Sequence, residues 1–241
     1  MRYELFHQDS YLREMDATVT RVEGNRVVLD QTVFYAQGGG QPADHGTLVW
    51  QGGEARVLDV RKVRGESGGD AVWHQLDGDA PEVGTPVHGT LDWERRYALM
   101  RTHTATHILC GVIWRDFGAK VTSSSIEPGK AHQDFELERL TGDFVAEVER
   151  RINEEMAADR EVRIRFLPRT EAFAIPDLIR TKINLLPEGV DPVRVCEIVG
   201  LDLQADGGTH VARTREVGPI RVVDYHSKGR INKRLRLALD A

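Results

Sequence analysis

The sequence predicts an α+β protein, with an all-β N-terminal region over residues 1–90 and an α+β region over residues 91–241. Three observations predict it. Short apolar–polar alternations recur between glycine-rich turns through the first ninety or so residues. Helical periodicity sets in abruptly at Asp92, and strand-like alternation returns beyond residue 120.

In order, the N-terminal alternations are Ala17 to Val22, Arg26 to Leu29, Gly46 to Trp50, Ala55 to Val63, Ala71 to Gln75 and Pro86 to Leu91. Turns at Glu23-Gly24-Asn25, Gly52-Gly53, Gly65 to Gly69 and Asp77-Gly78-Asp79 separate them. Many short strands with such punctuation indicate a small barrel or a sandwich. FYAQGGGQPADHG, residues 34–46, breaks the pattern. Three successive glycines flanked by Gln37 and Gln41 suit a plain loop or one laid against a substrate, not a strand interior.

Asp92 can cap a helix that starts at Trp93 and runs to about Phe117, where Gly118 ends it. Residues 121–137 read as a hairpin turning at Glu127-Pro128-Gly129. Asp143 to Ala158 carries Phe144, Val145, Val148, Ile152 and Met156 at helical spacing, an apolar stripe to be laid on a sheet. Glu161 to Leu167, Val193 to Val199, Ile220 to Tyr225 and Ile231 to Leu239 read as strands, the last two joined through Ser227-Lys228-Gly229. Helices beside antiparallel strands make this region α+β.

Composition narrows the function classes. Of 241 residues, 40% are hydrophobic and 29% charged, as in ordinary globular proteins. No apolar run is long enough to span a bilayer, and the N-terminus carries acids where a signal peptide would be apolar. Two isolated cysteines, Cys110 and Cys196, suit a reducing cytoplasm and read as small buried hydrophobes. The net charge of −6 argues against a generally basic nucleic-acid surface. One basic strip stands apart: His226 to Leu239 holds Lys228, Arg230, Lys233, Arg234 and Arg236 with no acid among them. It serves either as a strand edge protected against aggregation or as a phosphate contact.

The chemistry-bearing stretch is RTHTATHILCGV, residues 101–112. His103 and His107 stand four apart, so on a helix both imidazoles leave one face a turn apart and can grip one metal ion. About a hundred residues later, DLQADGGTHVARTREVG sets Asp206 and His210 four apart beside two glycines that permit close backbone approach. No Glu follows His103, so the zincin pattern His-Glu-x-x-His is absent.

Four segments in order, FYAQGGGQPADHGTL, DWERRYALMRTHTATHIL, SSSIEPGKAHQDFE and QADGGTHVARTREVGPI, resemble the AlaX family of free-standing alanyl-tRNA editing proteins, in its medium-length class. The resemblance implies an N-terminal β-barrel followed by an editing domain of antiparallel sheet with packed helices. It implies trans-editing: hydrolysis of the ester that joins a wrong amino acid, chiefly serine and secondarily glycine, to tRNA(Ala). Zinc is the implied cofactor, with His103, His107 and His210 as ligands. The fourth family ligand is usually a cysteine; here Asp206 stands in its place, a harder donor than thiolate. Thr122 matches the residue that rewards the serine hydroxyl, and Gly38, Gly39, Gly40 and Gln41 match a loop closing over the acceptor end. Lys228, Arg230, Lys233 and Arg234 become the expected phosphate contacts. Two alternatives stay open: a metal-dependent hydrolase of another activated ester, and a non-catalytic RNA-binding relative.

Overall fold

The computed structural model describes residues 3–64, 70–182, 186 and 189–240. The turn expected at Gly65 to Gly69 lies outside them. The chain divides into two compact units, Met1–Ala98 and Leu99–Ala241.

The first unit contains β1 (Tyr3–Glu4), β2 (Glu14–Glu23), β3 (Arg26–Leu29), β4 (Gln31–Thr32), β5 (Gly46–Trp50), β6 (Gly53–Arg64), β7 (Asp70–Leu76) and β8 (Pro86–Leu91). Six of them close into an antiparallel barrel in the order β2-β3-β7-β6-β5-β8, while β1 and β4 pair alongside. Closure removes the open edges that a sandwich would leave. Inward residues of every strand build one core, with Val19, Val27, Leu48, Val57, Val60, Leu76 and Val87 around Phe34. Gly89 leaves room for that ring: a Cβ there would stand 3.1 Å from it and 2.9 Å from the Met15 methyl.

The glycine-rich segment is held tightly. Gly38 and Gln41 exchange both backbone hydrogen bonds, at 3.1 and 2.9 Å. Gly39 and Gly40 between them have positive φ, as a two-residue type I′ turn requires. Tyr35 Oη donates to the Gly38 carbonyl at 2.9 Å. The chain leading to Gln41 is anchored by a fully buried pair, Arg96 and Asp44. Arg96 also donates to the carbonyls of Ser10 at 2.9 Å and Val33 at 2.6 Å, and the Asp44 carboxylate accepts from the Tyr35 amide at 2.7 Å.

Helix α1 (Trp93–Phe117) begins in the first unit and carries its histidines in the second. Asp92 Oδ1 accepts from the Arg95 amide at 3.1 Å, and Gly118 ends the helix with a φ of 63°. Leu99, Met100, Ala105, Ile108, Leu109, Val112 and Ile113 are all fully buried, so its second half is a core helix. No helix among the described residues is long and apolar enough to cross a membrane.

Beyond α1 come β9 (Val121–Glu127), β10 (Lys130–Glu136), α2 (Gly142–Ala157), β11 (Val162–Leu167), α3 (Arg169–Ala174), β12 (Val193–Ile198), β13 (Asp202–Ala205), β14 (Ile220–Ser227) and β15 (Asn232–Leu239). They form a four-stranded antiparallel sheet, β14-β15-β10-β9, and a three-stranded one, β11-β12-β13. The Thr141 hydroxyl caps α2 by accepting from the Phe144 amide. Side chains of α2 cover the outer edge of β14: Asn153 exchanges hydrogen bonds with the Ile220 backbone, and Glu149 accepts from the Val222 amide. The fold is α+β, with an N-terminal barrel.

Candidate metal centre

Two elements of the second unit converge. Helical spacing places His103 and His107 on one face of α1, with ring centroids 5.2 Å apart. The loop after β13 brings His210, whose ring lies 4.3 Å from that of His103 and 4.8 Å from that of His107. Asp206 opens that loop, and its Oδ2 accepts from the Gly208 amide at 2.7 Å, a turn that aims the carboxylate at the rings. One donor atom from each of these residues lies within 4.8 Å of the others.

The donor spacing suits a shared cation. Zinc bonds of about 2.0–2.1 Å in tetrahedral array put donors about 3.3 Å apart. Asp206 oxygens lie 2.9 Å from His210 Nε2, 3.5 Å from His103 Nε2 and 4.0 Å from His107 Nε2. Protonation suits it too. Burial holds the His103 imidazole well below its ordinary pKa and takes His210 down to about 4, so both keep a lone pair near neutrality. Burial works against the Asp206 carboxylate, but the facing imidazoles, His103 foremost, pull its pKa well below the ordinary value. His107 goes the other way. Burial lowers it, but the hydrogen bond to Asp202 and the Asp206 charge outweigh burial and raise it. Three imidazoles and one carboxylate are a donor set for a divalent transition metal.

Sequence reasoning missed the layer behind these groups. Asp202 Oδ2 accepts from His107 Nδ1 at 3.1 Å, Gln204 Nε2 donates to the same oxygen at 2.7 Å, and Thr104 Oγ1 meets His210 Nδ1 at 3.2 Å. A signal was available: Asp202, Gln204 and Asp206 alternate along one strand and its exit, so they share a face.

The remaining expected site residues are carried by other elements. Thr122 stands on β9 at a register shift against β10, its hydroxyl donating to Asn232 Oδ1 at 2.7 Å. Gly38, Gly39, Gly40 and the buried Gln41 belong to the first unit. Lys228 and Arg234 both pair with the buried Asp134 carboxylate, at 2.9 and 2.6 Å. Lys233 is buried, with its ammonium donating to Ser227 Oγ and to the carbonyls of Gly229 and Arg230, whereas the Arg230 side chain is exposed. Cys110 and Cys196 are free and buried, and burial pushes both thiols well above the ordinary pKa.

Known proteins are similar to this chain in sequence. Residues 6–95 match the family described as tRNA synthetases class II (A), and residues 193–236 match the threonyl and alanyl tRNA synthetase second additional domain. An alanine–tRNA ligase from Pyrobaculum calidifontis is 41% identical over 91% of this chain but only 25% of the ligase. The alanyl-tRNA editing protein AlaX-M of Methanosarcina barkeri is 36% identical over 99% of both chains. That of Saccharolobus solfataricus is 41% identical over 98% of both. Likeness to the synthetases is thus confined to one segment of a larger enzyme, whereas likeness to the free-standing proteins runs end to end, and the chain belongs to the AlaX-M family of alanyl-tRNA editing proteins.

Proposed function

We propose that this chain is a trans-editing hydrolase that deacylates mischarged tRNA(Ala), chiefly seryl-tRNA(Ala) and secondarily glycyl-tRNA(Ala), with zinc held by His103, His107, Asp206 and His210. The single observation that carries the reading is the convergence of these four side chains, in a member of this family, on one buried point. A bound zinc ion supplies a Lewis acid that polarises the ester carbonyl and acidifies water. The protein contributes the rest. Neutral imidazoles at His103 and His210 offer lone pairs, and one carboxylate leaves the site with net positive charge to offset a tetrahedral oxyanion.

Serine selection falls to Thr122. Its proton is committed to Asn232, which leaves the oxygen lone pairs to accept from a serine hydroxyl. Alanine makes no such bond, so this half-buried acceptor gains no partner when alanine enters. The Gly38–Gly40 turn, in the barrel domain over residues 1–90, bears on the acceptor end of the tRNA, with the buried Gln41 holding the turn through its backbone. Of the basic hairpin in the editing domain over residues 91–241, Arg230 is the most available phosphate contact, because Asp134 offsets Lys228 and Arg234, and Lys233 is turned inward. The two buried free thiols agree with a cytoplasmic location.

The test is incubation of the protein with seryl- and alanyl-tRNA(Ala), accompanied by elemental analysis. Release of serine but not alanine, with zinc present, is expected. Release from neither substrate by zinc-loaded protein would point to another ester, and tRNA binding without hydrolysis or metal would point to a non-catalytic relative.

A further inference from the structure

The charged layer behind His107 has no part in the reading above. Asp202 is fully buried on β13. Its Oδ2 faces His107 Nδ1 at 3.1 Å and takes the Gln204 amide at 2.7 Å. Among the described residues its Oδ1 has no hydrogen-bond partner, and it faces Arg180 Nε at 3.9 Å. Arg180 is also short of acceptors: among the described residues Nε and Nη1 are buried without one, and the guanidinium lies 4.6 Å from the centre of the Trp114 ring. Burying a carboxylate with so few partners is unfavourable.

What a carboxylate does there, and a neutral group does less well, is act on the imidazole. Accepting the Nδ1 proton fixes His107 in the tautomer whose Nε2 is bare, and the negative charge raises the basicity of that nitrogen. Nε2 is the atom that faces Asp206 Oδ1, at 4.0 Å. His210 meets a hydroxyl at the corresponding nitrogen. That hydroxyl, of Thr104, can donate or accept and so imposes no tautomer.

We propose that Asp202 is the positioning residue of the histidine cluster, with Arg180 and Gln204 holding its carboxylate against His107 so that Nε2 is presented to a divalent cation. This rests on the metal reading of the cluster. One short strand and its exit would then supply both a ligand, Asp206, and the group that prepares another ligand across the site.

The experiment is zinc titration against a chromophoric chelator for wild type and Asp202→Asn, with 15N-detected histidine spectra of the zinc-loaded proteins. Asp202→Asn keeps the shape and removes the charge. Zinc affinity is expected to fall about 10- to 100-fold. In the wild type, His107 should carry its proton on Nδ1 at a strongly downfield position that moves upfield in the variant. Equal affinities in two folded proteins would overturn the proposal. A wild-type spectrum with the His107 proton on Nε2 would do so even if the variant failed to fold. A wild-type chain that takes up no zinc would overturn the metal reading itself, and this inference with it.

Discussion

His103 and His107 share a helical face, yet their surroundings drive them apart: burial holds the His103 pKa well below its ordinary value, whereas at His107 Asp202 and Asp206 outweigh burial and raise it. Losing either lone pair disables the cluster, so His103→Ala is expected to abolish serine release and zinc retention while the chain stays folded; wild-type rates from that variant would refute the ligand assignment. Thr122→Val removes one hydrogen-bond acceptor at similar volume. It should lower the preference for seryl- over alanyl-tRNA(Ala) roughly 3- to 10-fold, read from paired deacylation rates. A third histidine reports on the barrel. Fully buried His74 accepts from the Thr32 hydroxyl at Nε2 and faces the Val27 carbonyl through Nδ1, and burial lowers its pKa from 6.5 to about 4. The unfolded chain therefore binds this proton first as pH falls. Its contribution is complete above about pH 6.5 and is lost toward pH 4, a difference of roughly 3 kcal/mol. Denaturant unfolding of wild type and His74→Gln across that range should show the two stabilities converging on acidification; parallel curves would count against it. The four clustered residues were legible in the sequence because each pair is local, four apart. Asp202 and Thr104 were not singled out, because each matters only through a ring brought to it from the other segment.

Elements were legible where punctuation was dense. Residues 46–50, 86–91 and 93–117 coincide with β5, β8 and α1, since turn glycines and an Asp cap mark their ends. Short pieces without a period of their own, β1, β4, β13 and α3, carried no signal strong enough to find them. The glycine-rich stretch, open between a plain loop and a substrate loop, folds into a hydrogen-bonded turn. Behind it, Arg96 reaches from the first turns of α1 to Asp44, a contact that sequence spacing does not announce. Removing one member of a fully buried pair strands the other charge. Arg96→Met should destabilise the barrel unit by about 3–5 kcal/mol in denaturant titration, and neutralising its partner as well, by Asp44→Asn, should recover part of that. A loss below 1 kcal/mol would show that the pair is not what holds this segment.

At the scale of the molecule, all four candidate ligands belong to the Leu99–Ala241 unit, so an ion bound there stabilises that unit directly. Zinc at 100 times its dissociation constant adds about 2.7 kcal/mol, and for a chain of this size that raises the melting temperature by roughly 5–10 °C. Calorimetry with zinc and with chelator checks this, and superimposable traces would contradict a metal site. By itself the sequence determined the class of fold, the runs of strand and helix, and which imidazoles could act together, because periodicity, capping and turn chemistry are written in residues close along the chain. Only the tertiary structure decided that the first sheet closes into a barrel, that Asp206 meets His103 and His107, that Asp202 stands behind one ligand, and that three of the four expected phosphate contacts are engaged within their own hairpin or by Asp134. Those outcomes depend on pairing between segments distant in sequence, where burial and charge are set by neighbours that no local pattern names.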